Sequence, residues 1–205
     1  MEDVERMIMY VPRDRRILIE AGTPFIKRYG AEGIQKLAAF WSGYIVADIK
    51  VADGAREEVE MTWQAGAHAI TALGYSSTET LDLFVQTCES LGMDSMVDMI
   101  HVDMPLKALR PMKRPPTVAI LHRGRDEETT RGKVIQYKQI TKIKSKYDVL
   151  ISAAGGVDLR EAQSAAFNGA DIVVVNVVPI GSPWKGITPE QDIASLAHQF
   201  LKTIE

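Results

Sequence analysis

The chain has 205 residues, 46% hydrophobic and 25% charged, which is long enough to bury a core without disulfides or a structural metal. A net charge of −3 argues against a nucleic-acid-binding face, and without a run of 18 apolar residues no membrane span is expected. We expect the single cysteine, Cys88, to be a reduced packing residue, and the acidic N-terminus is unlike a signal peptide. These features predict a soluble, cytoplasmic protein.

Seven short apolar runs, rich in Val and Ile, have the character of strands that are covered on both faces. In chain order they are RILIE (16–20), YIVAD (44–48), AITAL (69–73), SMVDMI (95–100), TVAIL (117–121), DVLISA (148–153) and DIVVVN (171–176). Helical periodicity is found between them, over 24–40, over 78–92 up to Gly92, and over 158–170 from the capping residue Asp158 to Gly169.

This alternation of strand and helix predicts a parallel sheet with right-handed crossovers. A doubly wound open sheet and a (β/α)8 TIM barrel both fit the order. The barrel is favoured, because no G-x-G-x-x-G turn follows an early strand and polar residues stand at the C-terminal ends of many strands. We therefore predict an α/β protein with a single TIM-barrel domain over residues 1–205.

The count of strands is one short of a barrel, because a helical stretch over roughly residues 2–11 precedes the first run. Either RMIMYV (6–11) is itself a strand, or the first strand of the barrel is missing or atypical in this chain. In the second case another segment or subunit has to cover the unpaired sheet edge.

Charges of both signs follow the run at 44–48. Asp48 and Lys50 are two positions apart, so on an extended backbone they would point the same way and face the barrel mouth together. One interpretation is a structural ion pair. In the functional interpretation Lys50 is an electrostatic anchor or acid for an enediolate-type intermediate, while Asp48 holds the lysine or binds a divalent metal.

With Asp53 these residues form D-x-K-x-x-D, which resembles the signature of the orotidine monophosphate decarboxylase suprafamily. IEAGTPFIKRYG (19–30) and MVDMIHVDMP (96–105) are similar to segments of 3-hexulose-6-phosphate synthases. LHRGRDEET (121–129) is similar to the histidine motif of that synthase and of 3-keto-L-gulonate-6-phosphate decarboxylase. The resemblance extends over about residues 10–176 and implies a carbon–carbon lyase in which Mg²⁺ stabilises an enediolate formed from a sugar phosphate.

The resemblance implies a role for each matching residue. Glu20 and Asp48 are the implied Mg²⁺ ligands, and Lys50 is the central lysine that faces the intermediate. Judged from the residues alone, Glu20 could instead pair with Lys27 or Arg16 at the rim.

Asp53 matches an aspartate that reaches across a dimer interface, which implies a homodimer with shared active sites; the alternative is a cap for the following helix. His122 matches the catalytic histidine, a proton shuttle near neutral pH. Arg125 stands where the decarboxylase has arginine and the synthase usually has an apolar or aromatic residue. It either holds an oxyanion or positions water, or it is a surface residue that pairs with Asp126 or Glu128.

Gly155 and Gly156 lie between a predicted strand and helix, where backbone N–H groups can cradle the substrate phosphate, although a tight turn alone also uses glycine. After the last strand, Asn176 and Val177 replace the family's glycine pair or Gly-Arg. Asn176 or Gly181–Ser182 could compensate. We find no equivalent of the aspartate that the family carries on its first strand.

The leading hypothesis is a 3-hexulose-6-phosphate synthase-like aldolase that condenses formaldehyde with D-ribulose 5-phosphate, with Lys50 and His122 handling protons. The first alternative, favoured by Arg125, is decarboxylation of 3-keto-L-gulonate 6-phosphate. Orotidine monophosphate decarboxylation is less favoured, because no long phosphate-gripping loop follows the last strand. The second alternative is a non-catalytic barrel that acts as a binding subunit, which the missing aspartate and the altered phosphate turn motivate.

Overall fold

The computed structural model describes residues 1–128, 130 and 133–204, in which strands and helices alternate. The strands are β1 (Ile19–Ala21), β2 (Ile45–Val51), β3 (Ala69–Leu73), β4 (Asp94–Asp98), β5 (Val118–His122), β6 (Leu150–Ala154) and β7 (Ile172–Val173). The helices are α1 (Glu2–Met9), α2 (Thr23–Phe40), α3 (Ala55–Gln64), α4 (Thr78–Leu91), α5 (Pro105–Leu109), α6 (Lys138–Lys144), α7 (Leu159–Phe167) and α8 (Ile193–Thr203), with a 3₁₀ helix over Arg125–Glu127.

Each predicted strand overlaps one of these seven, although β7 is shorter than the predicted run 171–176. The interpretation of RMIMYV as a strand is wrong, because residues 2–9 form α1. That helix buries Ile8 and carries three acidic residues in its first turn, where negative charge favours a helix. In the part of the chain that the structure describes, no strand precedes β1, so the first strand of a full barrel is not found there.

Within residues 13–119, which form one compact unit, four strands pair in parallel in the order β1-β2-β3-β4. Parallel neighbours need crossover connections, and α2, α3 and α4 supply them. Phe84, Ile34 and Ile70 are among the side chains that are fully buried in this unit. Parallel pairing places the C-terminal ends of these strands at one edge, where Asp48 and Asp98 lie.

The other compact unit consists of Met1–Pro12 and Ile120–Glu205. Here β6 and β7 pair in parallel, and α7 connects them. Ile140, Ile143 and Ile151 are buried in this unit. That all 205 residues form a single domain stays a prediction.

Strand β2 departs from regular pairing just where its charged residues lie. Ala47 pairs with Ile70 and Val51 with Ala72, so three residues of β2 (48–50) lie opposite one residue of β3, Thr71. Within this bulge, Lys50 has a left-handed backbone with a φ of 60°. The expectation of an extended backbone from Asp48 to Lys50 is therefore wrong, since a bulge re-aims the side chains.

The local helix signals have mixed outcomes. Gly92 caps the C-terminus of α4 in a left-handed conformation, and Asp158 caps α7 by accepting a hydrogen bond from the backbone N–H of Glu161, both as predicted. The N-cap of α3 is Gly54, without a side-chain capping bond, so the alternative role of Asp53 as the cap is wrong.

Cys88 is a buried free thiol on α4, as predicted. None of the helices in the described ranges is both long enough and apolar enough to cross a membrane.

Candidate active site

The ammonium group of Lys50 is held between two carboxylates. Its Nζ lies 3.0 Å from Asp48 Oδ1 and 2.5 Å from Asp98 Oδ2. The side chain of Lys50 is 20% exposed and that of Asp98 only 1%, so these ion pairs are largely shielded from water. The predicted proximity of Asp48 and Lys50 is confirmed, although the bulge and not an extended strand brings them together.

The pKa of Lys50 is raised above its ordinary value of 10.5. Burial by itself lowers this pKa, because desolvation disfavours the ammonium form. The carboxylates of Asp98 and Asp48 act in the opposite direction, by charge and by hydrogen bonding, and together they outweigh the burial. Lys50 is therefore a cation at any pH at which the protein would work.

Asp48 is fixed by donors on both of its carboxylate oxygens. Oδ1 accepts hydrogen bonds from Lys50 Nζ at 3.0 Å and from the hydroxyl of Thr71 at 2.8 Å. Oδ2 lies 2.7 Å from the hydroxyl of Thr23, the first residue of α2, and 3.4 Å from its backbone N. Oδ1 has two strong donors, so Oδ2, with one strong and one long contact, has the spare acceptor capacity.

The carboxyl of Glu20 on β1 has an upward-shifted pKa. Its pKa is raised to about 8 because burial of the carboxylate and repulsion by Asp48 disfavour the ionised form. Lys50 opposes this shift, and Asp98 adds to it. Glu20 is an exposed residue, so water screens part of the effect of burial, while the repulsion by Asp48 acts in the same direction.

The alternative in which Glu20 pairs with a basic neighbour is not what the structure has. Arg16 forms an ion pair with Asp14 at 2.9 Å. Among the residues that the structure describes, neither Arg16 nor Lys27 forms an ion pair with Glu20.

The donor set around Glu20 and Asp48 fits the cation that the sequence predicted. Mg²⁺ is usually bound by one or two carboxylates, with water and substrate oxygens completing its octahedral shell. Glu20 accepts no hydrogen bond within the described ranges, and Oδ2 of Asp48 has spare capacity. Over the same ranges there is no group of three or more His, Cys, Asp or Glu side chains suited to holding a metal. Two carboxylates match what Mg²⁺ usually takes from a protein, and no larger donor cluster adds to them in the described residues.

In the unit that contains residues 120–205, His122 is the last residue of β5 and is half-buried, as its motif predicted. Thr129, which ends that motif, lies outside the described residues. Arg123 follows His122 and was not identified from the sequence. Its Nη2 donates a hydrogen bond to the carbonyl oxygen of Gly155 at 2.8 Å. Its backbone N–H donates a hydrogen bond to the carbonyl oxygen of Ala154. Arg123 is thus the cation beside the Gly155–Gly156 turn.

The turn itself has the backbone that only glycine adopts easily, with φ of 101° at Gly155 and 66° at Gly156. A Cβ at Gly156 would lie 2.6 Å from Arg123 Nη2 and 2.8 Å from Glu128 Oε2. Among the described residues, the carboxylate oxygens of Glu128 are buried without a hydrogen-bond partner, as is Arg123 Nε. At Gly156 those side-chain ends could shift, whereas a Cβ at Gly155 would overlap the backbone carbonyl group of Arg123, so the left-handed backbone requires glycine at both positions and the lack of room requires it at Gly155.

Arg125 begins the 3₁₀ helix, and its guanidinium lies over the ring of Trp184 at 5.0 Å from the ring centroid. Within the described residues it forms no ion pair with Asp126 or Glu128, so the alternative with those partners is wrong.

Asn176 and Val177 lie in a backbone bridge with residues 186–187. The carbonyl oxygen of Asn176 accepts a hydrogen bond from Ile187 N–H at 2.7 Å, and Val177 pairs with Ile187. Val177 is exposed. Gly181 has a φ of 75° with open space around it. The phosphate roles of Asn176, Gly155 and Gly156 stay predictions.

Sequence reasoning thus predicted that Glu20, Asp48 and Lys50 lie near one another. The structure confirms this for Asp48 and Lys50, whose charges also act on the Glu20 carboxyl. It identified Asp98 only as a polar strand end and missed Thr71 and Thr23 entirely. The acidic end of the run SMVDMI was the available signal for Asp98, while a buried threonine within a strand gives none. That His122 opens onto the same cavity as Lys50 stays a prediction, and so does the role of exposed Asp53.

Comparisons of sequence and structure show which known proteins this chain resembles. Residues 1–176 match the family described as Orotidine 5'-phosphate decarboxylase / HUMPS. The bifunctional enzyme Fae/Hps of Methanosphaera stadtmanae is 36% identical over 210 residues, which cover 98% of this chain and 50% of that protein. The chain spans about half the length of the curated relatives it matches.

Two solved structures of low identity show the fold. The 3-hexulose-6-phosphate synthase of Salmonella typhimurium has a TM-score of 0.81 at 24% identity, covering 98% of this chain and 92% of that chain. The 3-keto-L-gulonate-6-phosphate decarboxylase of Vibrio cholerae has a TM-score of 0.64 at 18% identity, covering 98% of this chain and 88% of that chain. The predicted α/β fold of the TIM-barrel class is confirmed.

Proposed function

Because the chain belongs to the Orotidine 5'-phosphate decarboxylase / HUMPS family, we propose that it is a carbon–carbon lyase of the 3-hexulose-6-phosphate synthase type. Its reaction would be the condensation of formaldehyde with D-ribulose 5-phosphate, or the reverse cleavage. Relatives named Fae/Hps, at up to 36% identity, support this choice, as does the likeness to solved structures named 3-hexulose-6-phosphate synthase.

The observation that carries the proposal is the buried ammonium of Lys50 between Asp48 and Asp98. An enediolate develops negative charge on its oxygens, and a fixed cation in a shielded site stabilises that charge without having to reorient. The two carboxylates hold the ammonium in one position and keep it charged. This arrangement suits a group that stabilises an anion better than one that gives up its proton.

We further propose that Glu20 and Asp48 hold Mg²⁺ when the site is loaded, where the ion would supply Lewis acidity to adjacent substrate oxygens. His122 would transfer protons in the same reaction, because an imidazole ring can both donate and accept a proton. Asp53, which is exposed just before α3, would reach the active site of a partner subunit in a homodimer.

For the substrate phosphate, we propose the turn at Gly155–Gly156 with Arg123 beside it. Arg123 would replace the arginine that the family usually has after the last strand, where this chain has Val177.

The test supplies D-ribulose 5-phosphate and formaldehyde with Mg²⁺ and measures sugar consumption, in the wild-type protein and in K50A and K113A. Lys113 is a suitable control because its side chain is 86% exposed. We expect formaldehyde-dependent turnover that K50A abolishes, that K113A retains and that chelation of the metal removes. Turnover of K50A within about threefold of the wild type would remove Lys50 from the mechanism.

A second candidate, 3-keto-L-gulonate-6-phosphate decarboxylase, is favoured by Arg125 and by the likeness to a solved decarboxylase. Carbon dioxide release from 3-keto-L-gulonate 6-phosphate, without formaldehyde-dependent turnover, would select it. If calorimetry finds no binding of either sugar phosphate at millimolar concentration, with or without Mg²⁺, the chain would be a non-catalytic binding subunit.

A further inference from the structure

A fully buried threonine connects the backbone N–H of Lys50 to the Asp48 carboxylate that contacts the Lys50 ammonium group. Thr71 on β3 has an exposure of 0%. Its Oγ1 accepts a hydrogen bond from the backbone N–H of Lys50 at 2.9 Å and lies 2.8 Å from Asp48 Oδ1. A hydroxyl has one proton, and the carboxylate can only accept, so the Thr71 hydroxyl donates to Asp48 while it accepts from Lys50.

These contacts close a ring of three hydrogen bonds. The N–H of Lys50 bonds to Thr71, Thr71 bonds to Oδ1 of Asp48, and that same oxygen accepts from Lys50 Nζ. The backbone and the ammonium group of one lysine are thereby tied to each other through two other side chains.

The ring stands where the backbone of β2 is least regular. Lys50 has a φ of 60°, which residues with a side chain adopt only when the surroundings support it. Thr71 is the residue of β3 between the paired positions Ile70 and Ala72, directly opposite the bulge. Its hydroxyl supplies the acceptor for Lys50 N–H at this position.

We propose that Thr71 is a positioning residue for Lys50. Its hydroxyl holds the left-handed backbone of Lys50 and one carboxylate oxygen of Asp48 in place. The ammonium group is thereby positioned through the lysine backbone and through the carboxylate that it contacts. Valine would have nearly the same shape but would leave the Lys50 N–H without its acceptor and Asp48 Oδ1 without its second donor. The effect of Thr71 on turnover rests on the proposed function, whereas its hydrogen bonds to Lys50 and Asp48 do not.

The experiment compares T71V and T71S with T62V. Thr62 is a matched control, because it is also fully buried and its hydroxyl also donates one hydrogen bond, to the carbonyl oxygen of Glu58 on α3 at 2.7 Å. We expect T71V to lower kcat by about 10²-fold with KM changed by less than about threefold, since misplacing a catalytic group affects the transition state most. T71S should recover most of that loss, and T62V should show no comparable loss.

A second readout does not depend on the reaction. Amide hydrogen exchange at Lys50, measured by NMR, should be at least about 10-fold faster in T71V than in the wild type or T71S, because the N–H has lost its acceptor. Urea unfolding of each variant at the same pH establishes that folded protein is compared.

The outcomes separate the two proposals. Wild-type protein without formaldehyde-dependent turnover, but with the expected exchange at Lys50, would overturn the proposed function and leave the positioning by Thr71 standing. Unchanged Lys50 exchange in folded T71V would overturn the positioning. So would a loss in T71S equal to that in T71V, because T71S keeps the hydroxyl, or an equal loss of kcat in T62V.

Discussion

Replacing Lys50 with methionine should destabilise the protein strongly, because the lysine compensates carboxylates that remain out of water. At an effective dielectric constant of about 20, each attraction of its ammonium at 2.5 and 3.0 Å is worth roughly 5–7 kcal/mol. Desolvation of the ions offsets most of this, at several kcal/mol per ion. Because K50M removes the cation and leaves the buried carboxylates, we expect a loss of about 3–5 kcal/mol in the free energy of unfolding.

The pH dependence of this loss has a definite sign. The pKa of Lys50 is raised in the folded protein, so the ion pairs contribute fully below the ordinary lysine value of 10.5, and their contribution is lost only as the pH rises through the folded value. In K50M, the carboxylates of Asp48, Asp98 and Glu20 face one another without a cation. Acid should therefore narrow the difference between variant and wild type, because protonation removes that repulsion.

The assay is urea unfolding of wild type, K50M and K113M, followed by tryptophan fluorescence at pH 5, 7 and 9. K113M removes an exposed lysine 3.9 Å from Asp82, a kind of pair whose loss typically costs about 0–1 kcal/mol. A loss in K50M no greater than in K113M at pH 7 would refute the reasoning. So would a difference that grows as the pH falls.

Three further predictions concern other parts of the molecule. Burial raises the pKa of the Cys88 thiol to about 12, so native protein at pH 8 should react with Ellman's reagent only after unfolding. Because the folded protein holds the thiol proton more tightly than the unfolded chain does, the free energy of unfolding should fall as the pH rises above the ordinary thiol pKa of 9. G155A should lose about 1–3 kcal/mol of unfolding free energy, and more than G181A, because both positions have positive φ but a Cβ at Gly155 would overlap the backbone carbonyl group of Arg123; equal losses in urea unfolding would contradict this. D158A should lower the unfolding midpoint by the equivalent of about 1 kcal/mol, because it removes the N-cap of α7, and no shift would argue against the cap.

Much of the fold was accessible from the sequence because its signals are local. The Val- and Ile-rich runs located all seven described strands, and Gly92 and Asp158 marked helix ends through their own conformational and hydrogen-bonding preferences. The N-terminal helix was also expected, although the alternative of a strand there was left open. These features depend on neighbours within a few positions along the chain.

The site was only partly accessible for the opposite reason. The spacing of Asp48 and Lys50 suggested a pair, but the reason given, an extended strand, was wrong, because the bulge in β2 arises from its register against β3. Asp98 is 48 positions from Lys50 and Thr71 is 21, so nothing in their own surroundings along the chain indicates the contacts. The sequence by itself determined which elements form and which charges stand at strand ends. Only the tertiary structure decided which side chains share the Lys50 ammonium, because strand register and burial depend on residues that are distant along the chain.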